Sequence, residues 1–310
     1  MGSENKVTEL PPIVFVLFAV LLWSTGGLFI KMTTIDAFAV NCGRSLFAAI
    51  TVAIFTYGKG LKLNAFTLLT SLLFAGILTS FVYATKTTTA ANAIFLQYTA
   101  PIYILILSPI ILKERFRAVD LITVVFCLGG MSLFLLEAPN AENKLASNIF
   151  VGNLVALGSG VLFALYFILL RHRRSLENKN AAVSAFYGNL LVVLFMLPLL
   201  FKNPPQPTTR DILAVLYLGV LQIGISYMFF TYGMASGVRP FDASIIGFVE
   251  PLLNPLWVFL VIGERPSKWA IIGGAIIIST VAAHTIINNR KKLPEIESLP
   301  NTDELYRAPK

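Results

Sequence analysis

Seven stretches of the chain, 10–30, 63–85, 87–112, 145–170, 180–201, 212–238 and 269–289, contain no Asp, Glu, Lys or Arg. A helix climbs about 1.5 Å per residue, so roughly 20 apolar residues cross a hydrocarbon layer about 30 Å thick. The recurrence of that length constrains the chain to a bundle of membrane-crossing helices. Charged residues make up 13% of the 310, and the mean hydropathy is +0.76; soluble domains carry about a quarter charged residues. A net charge of +8 would suit a nucleic-acid binder, but the charges sit in short clusters between the apolar stretches. The expected partner is the lipid bilayer, and no nucleic acid.

Ten helices are predicted, at about 12–30, 37–57, 64–84, 90–112, 119–136, 149–170, 182–201, 212–233, 240–262 and 269–288. The division between the third and fourth falls at Lys86 to Asn92, a polar run with neither Pro nor Gly, so one bent helix is the alternative there. The helices group into a first five-helix unit (12–137) and a second (149–288), with a polar N-terminal tail (1–11), a linker (138–148) and a C-terminal tail (289–310). With the N-terminus inside, the cytoplasmic connections and tails collect sixteen Lys and Arg and the opposite side seven. The positive-inside rule then places both termini in the cytoplasm and the linker outside. The run from Pro11 to Ile30 is followed by more membrane and reads as an uncleaved first span rather than a leader. Cys42 and Cys127 lie inside apolar segments, where free cysteine acts as a small hydrophobe, so no disulfide framework is expected.

An internal repeat is visible at two offsets. Pro101 is followed thirteen residues later by Glu114-Arg115, and Pro251 thirteen residues later by Glu264-Arg265, an offset of 150. At an offset of 140, LLWSTGGLFIK (21–31) overlies VLFALYFILLR (161–171), putting Trp23 on Phe163 and Lys31 on Arg171. Because five is odd, two such halves must insert with opposite orientation, a recurring design in which a binding site forms between halves near the midplane.

The fourth helix, NAIFLQYTAPIYILILSPIILKER (92–115), the ninth, DASIIGFVEPLLNPLWVFLVIGER (242–265), the Glu250-Pro251 pair and Arg44 resemble the drug/metabolite transporter superfamily, in particular its EamA-type members, from about Pro12 to His284. The resemblance implies an all-α membrane protein of ten transmembrane helices in two inverted five-helix repeats. It further implies a secondary active or facilitative transporter of small organic solutes working by alternating access. Export of small metabolites or amino acids across a bacterial inner membrane is the expected activity, with drugs, sugars or nucleotide-linked metabolites as the alternative substrate class. No cofactor and no enzymatic activity are expected. In one respect the match is incomplete: the first half has Ala100-Pro101 where the second has Glu250-Pro251, so a carboxylate role belongs to one half. A non-transporting scaffold or sensor with a vestigial pocket is the reading from a different class.

Only Arg44 and Glu250 are charged well away from a predicted helix end; Asp120 and Asp242 lie near ends. A charge at the centre of a membrane helix costs about 2.5–3.5 kcal/mol, so such a residue should face a cavity or a partner. Arg44 lies about 12 Å deep and Glu250 about 15 Å. At those similar depths a pair is possible. A permanent pair would be structural, whereas contact in only one conformation would let Glu250 take up a proton, making it the proton-coupling candidate. Ala243, Gly247, Glu250, Asn254 and Trp257 share one face of the ninth helix. The expected solute-site set is Trp23, Asn41, Arg44, Tyr83, Gln97, Tyr166, Tyr187, Tyr227, Glu250, Asn254 and Trp257. Singly, a helix–helix hydrogen bond explains each polar member as well.

Pro101, Pro251 and Pro255 each remove a backbone donor within a helix and are expected gating kinks, static kinking being the alternative. The two Glu-Arg pairs read as interfacial salt bridges, and Gly129-Gly130 with Gly273-Gly274 as close packing of the fifth and tenth helices, bracing the bundle or forming a homodimer face. Several chemistries lack their motif. No GxxxxGK[ST] is present, and His172 and His284 stand apart, so HExxH is absent and no metal site is expected. Gly158-Ser159-Gly160 is preceded by Leu157 where a nucleophile elbow needs glycine, which leaves small residues in a membrane helix. Arg171-His172-Arg173-Arg174 reads as an anchor to anionic headgroups.

Overall fold

The computed structural model describes residues 10–87, 90–115, 117–135, 149–202, 204–262 and 268–290. The linker 138–148, Glu264-Arg265 and nearly all of both predicted tails lie outside the described residues. Among the described residues, all regular structure is helical.

The first predicted span is two helices, α1 (Pro12–Ser24) and α2 (Gly26–Lys31), parted at Thr25 ahead of Gly26-Gly27. Next come α3 (Ala37–Thr56), α4 (Ala65–Thr87), α5 (Ala90–Gln97), α6 (Ala100–Ile111) and α7 (Ala118–Leu135). The second half runs α8 (Ile149–Arg171), the short α9 (Arg173–Leu176), α10 (Val183–Lys202), α11 (Thr209–Tyr217), a π-helical stretch (Leu218–Ile225) and α12 (Ser226–Ala235). It closes with α13 (Pro240–Gly247), α14 (Val249–Ile262) and α15 (Lys268–Arg290). Seven segments of the described residues are long and apolar enough to cross a membrane: 12–30, 37–59, 65–84, 93–111, 150–171, 183–201 and 209–235. Shorter apolar helices cover 118–133 and 271–287.

Local chemistry sets the ends. Asp36 caps α3 by accepting from the backbone N–H groups of Phe38 (2.8 Å) and Ala39 (3.0 Å). Thr208 and Asp211 form a reciprocal capping box at α11. The carboxylate of Asp211 also accepts from the N–H (2.6 Å) and hydroxyl (2.9 Å) of Thr34, tying the α2–α3 connection to α11.

Two breaks stand 150 residues apart. The fourth span parts at Tyr98-Thr99, because Pro101 has no N–H to offer the Gln97 carbonyl. The ninth parts at Phe248, because Pro251 likewise leaves the Gly247 carbonyl unserved. Pro255 behaves otherwise: α14 runs through it to Ile262 without interruption, as membrane helices allow when local adjustment re-satisfies the freed carbonyl. The helix is therefore broken beside Pro101 and Pro251 and continues through Pro255.

Contacts between the halves form a reciprocal set. Helix α8 packs on α4, α5 and α6, while α1 packs on α12, α13 and α14. Helix α10 packs on α4, while α3 packs on the π-helical stretch. Finally, α3 meets α10 and α7 meets α15. The polar residues of α3, α4, α8 and α12 are thereby gathered in the middle of the bundle.

Candidate functional site

Trp23 is the hub of an aromatic cluster at the end of α1. Its indole N–H donates to Ser226 Oγ of α12 at 2.8 Å, and its ring lies 4.7 Å from Tyr227 and 5.0 Å from Phe230. Phe74 of α4 meets Tyr227 edge-on at 4.5 Å and Tyr166 of α8 at 5.3 Å. Tyr166 in turn shares a 3.1 Å hydrogen bond with Ser184 of α10.

Arg44 and Glu250 border this cluster and do not pair. Arg44, 3% exposed, donates Nε (3.0 Å) and Nη2 (2.9 Å) to the side-chain oxygen of Asn41, one turn earlier on α3. No carboxylate lies within ion-pair distance of it among the described residues. The buried Nδ2 of Asn41 and hydroxyl of Ser45 have no hydrogen-bond partner among the described residues, so this stretch of α3 holds spare donors beside a spare cation. A close approach by the π-helical stretch hems it in: a Cβ on Gly219 would lie 2.6 Å from the Arg44 carbonyl. Glu250, in the first turn of α14, accepts from the Tyr98 hydroxyl at 2.7 Å. Tyr98 is buried at the break between α5 and α6, against Phe248 at the other break (5.3 Å). Tyr227 is within electrostatic reach of both Arg44 and Glu250.

Of the other expected residues, Gln97 donates to Ser159 of α8 at 2.7 Å. Trp257 donates to Ser24 at 2.9 Å, fastening α14 to α1 beside the Thr25 break. Two are not brought to the centre. Tyr83 is 41% exposed, with no side-chain hydrogen bond among the described residues, because it faces away from the side of α4 that carries Phe74 and Leu78. Tyr187 donates to the Leu61 carbonyl (2.8 Å) in the connection between α3 and α4, so it serves one end of the bundle. The side chain of Asn254 lies outside those described. The sequence alone singled out neither Tyr98, whose signal was its place just before a proline break, nor Ser159, which was read as a small residue in a membrane helix.

A second polar cluster stands at the end of the bundle where α1 begins and α15 finishes. Arg239, just before α13, donates to buried Asp120 of α7 at 2.9 Å and lies 3.6 Å from Asp242. Burial pulls the guanidinium pKa down, but Asp242, Asp120 and Glu114 together outweigh it and hold the group above its ordinary value. His284 of α15, seemingly isolated in the sequence, bridges Asp242 (Nε2, 3.0 Å) and Thr123 of α7 (Nδ1, 3.1 Å). A cleft of about 220 Å³ opens beside it, lined by Pro12, Ser236, Arg239, Asp242, Ile246 and His284. No group of three His, Cys, Asp or Glu suited to a metal occurs among the described residues.

The sequence profile of the EamA-like transporter family matches this chain twice, over residues 10–136 and 150–285. The chain belongs to the EamA-like transporter family. Its two matches coincide with the two halves that pack reciprocally. A Helicobacter pylori protein named as an uncharacterised transporter is 32% identical over 146 residues, and the match spans about half of each chain, 46% of this one and 47% of that one. An Archaeoglobus fulgidus protein with the same description is 29% identical over 65% of this chain and 69% of its own. The aromatic amino acid exporter YddG of Ancylobacter novellus is 25% identical over 67% of this chain and 71% of its own. A solved crystal structure shares the fold, with a TM-score of 0.77 over 90% of this chain and 98% of that one, at 22% identity. The central cluster lies where the two family matches meet.

Proposed function

We propose that this transporter exports amino acids, or small metabolites of the same zwitterionic kind, by alternating access between two inverted five-helix repeats, with both termini in the cytoplasm. The observation that carries the reading is that buried Arg44 and half-buried Glu250, opposite charges that both border the aromatic cluster, are held by neutral residues and not by each other. Uncompensated charges in a low-dielectric site are costly unless a ligand completes them. A carboxylate seated on Arg44, with the spare donors of Asn41 and Ser45 beside it, and an ammonium seated on Glu250 would neutralise both at once. The surrounding Trp23, Tyr227 and Phe230 supply apolar walls for a side chain. The similarity to an aromatic amino acid exporter supports the same substrate class. The reciprocal packing of the halves and the matched breaks before Pro101 and Pro251 support rocking of one half against the other.

Glu250 also carries the coupling in this reading. A proton or a substrate ammonium can neutralise it, but not both together, so the two would exchange across the membrane in opposite directions. The test is counterflow of radiolabelled amino acids in proteoliposomes. Arg44→Gln should raise KM for amino acids more than for the corresponding decarboxylated amines. Glu250→Gln should abolish pH-driven accumulation while sparing exchange at equal pH. Absence of saturable flux from an amino-acid mixture would leave the scaffold or sensor reading in place.

A further inference from the structure

One offset, 144 residues, relates the polar groups at the two ends of α3. It carries Thr34 to Asn178, Asp36 to Asn180, Asn64 to Thr208 and Thr67 to Asp211, with no gap. The members of each pair hold the same local position. Asp36 accepts from the Ala39 N–H (3.0 Å) at the start of α3, and Asn180 from the Ala182 N–H (3.1 Å) just before α10. Asn64 accepts from the Thr67 N–H (2.7 Å) entering α4, and Thr208 from the Asp211 N–H (3.2 Å) entering α11.

The contacts among these residues cross over between the halves. Thr34 donates to Asp211 through its N–H at 2.6 Å and its hydroxyl at 2.9 Å. Asn178, the counterpart of Thr34, donates to Thr67, the counterpart of Asp211, at 3.5 Å and to the Lys62 carbonyl at 3.2 Å. One pair of repeat positions therefore meets twice, each time with one member from each half. The first meeting is at the N-terminal end of α3 and the second lies past its C-terminal end, so the 20 residues of α3 set them about 30 Å apart, at opposite ends of the bundle.

The two clasps differ in chemistry. Thr34 makes two hydrogen bonds to a carboxylate, and a bond to an ionised group is roughly twice as strong as a neutral one. At the other end the bonds are neutral and more numerous: besides those of Asn178, Asn180 donates to Thr56 Oγ1 (2.9 Å) and the Gly60 carbonyl (3.0 Å), and Tyr187 to the Leu61 carbonyl (2.8 Å). Three successive carbonyls of the first half, Gly60, Leu61 and Lys62, are thus served by side chains of the second. Two strong bonds stand against five ordinary ones, so neither end is held much more firmly than the other.

We propose that these clasps are the two gates of the transporter, released in turn. The inference rests on the alternating-access reading above and adds the residues that set its balance. When the bundle opens at the Thr34 end, the Thr34–Asp211 clasp parts and the Asn178–Asn180 clasp stays shut; opening at the other end reverses this. Exchange of the two halves interchanges the clasps, so the movement that releases one is the counterpart of the movement that releases the other. Weakening either clasp then tilts the equilibrium toward opening at its own end.

The experiment attaches spin labels at Phe38 and Ile212 to report the Thr34 end, and at Leu63 and Leu176 to report the other, in proteoliposomes and in a background lacking Cys42 and Cys127. All four side chains are exposed, and none belongs to a clasp. Thr34→Val keeps the N–H and the shape but loses the hydroxyl donor; it should raise the ratio of long to short distances at the first pair about tenfold and lower it at the second. Asn178→Asp keeps the acceptor for the Asn180 N–H but loses the donor, and should shift both pairs the opposite way, about fivefold. Tyr187→Phe, which removes a single bond, replaces it should that variant fail to fold. Two populations that no variant moves, or variants that shift both pairs in the same direction, overturn the gates and leave alternating access standing. One fixed distance at each end in the wild type and every variant overturns both. Neither result bears on the choice of solute, which the counterflow assay tests separately.

Discussion

Two glycines on α8, two residues apart, provide a matched test of how closely the halves pack at the first break. A Cβ built on Gly160 would lie 3.0 Å from the Gln97 carbonyl oxygen, 3.1 Å from that of Leu96 and 3.2 Å from Thr99 Oγ1. All three belong to the segment that parts α5 from α6. A Cβ on Gly158 meets nothing within 4 Å. Both substitutions to alanine gain the same intrinsic helix preference, about 1 kcal/mol, so that gain cancels when the two variants are compared. What remains is the overpacking at Gly160, worth about 1–3 kcal/mol where backbone oxygens must yield. Gly158→Ala is therefore expected to equal or exceed wild-type stability, and Gly160→Ala to fall below Gly158→Ala by that amount. Denaturation in mixed micelles, followed by tryptophan fluorescence, measures the difference. Equal stabilities would refute the close approach of α8 to the break.

Three further outcomes follow from contacts described above. Asp211→Asn keeps one acceptor but places an amide N–H₂ opposite the N–H of Thr208 (2.8 Å) or of Thr34 (2.6 Å); it should lose about 2–3 kcal/mol of stability in the same denaturation assay. Tyr98→Phe removes the donor to Glu250, a charge-assisted bond worth about 1.5–3 kcal/mol, and should lower kcat/KM for solute exchange at least about tenfold; an unchanged value would show that the bond is idle during transport. A cysteine at Asn143 should react with an impermeant maleimide in intact cells and one at Lys179 should not; equal labelling would reverse the assigned orientation.

Much of the helical layout was legible because it follows from one physical constraint, the length of apolar helix needed to cross hydrocarbon. The two prolines that break helices, Pro101 and Pro251, were legible because a missing N–H is a local property. That α14 continues through Pro255 was not, since whether a freed carbonyl finds another donor depends on neighbours the sequence does not name. Arg44 and Glu250 declared themselves by cost, but their partners did not. Asn41 and Tyr98 are neutral residues of ordinary composition for a membrane helix, and only the packing of α3 and of the two breaks selects them. Tyr83 and Tyr187 were misplaced for a related reason: a tyrosine in a helix fits a cavity, an interface and a lipid-facing position about equally well. His284 looked isolated because its partners lie 42 and 161 positions away in the chain.

The π-helical stretch from Leu218 to Ile225 sets a rotational phase. Its wider turns accommodate an extra residue relative to an α-helix, and Ser226 and Tyr227 follow directly. Removing one residue within the stretch would let it wind as an α-helix with the phase beyond it nearly kept, whereas removing one from the α-helical turns of α11, where no wider turn absorbs the change, would turn everything beyond by about 100° relative to the start of α11. Ser226 would swing away from Trp23, and Tyr227 from Phe74, although every side chain in the aromatic cluster would remain in the sequence. The composition of the central site is thus insufficient to define it: its angular alignment depends on residue count, and a length change in α11 would silence it while leaving its chemistry untouched.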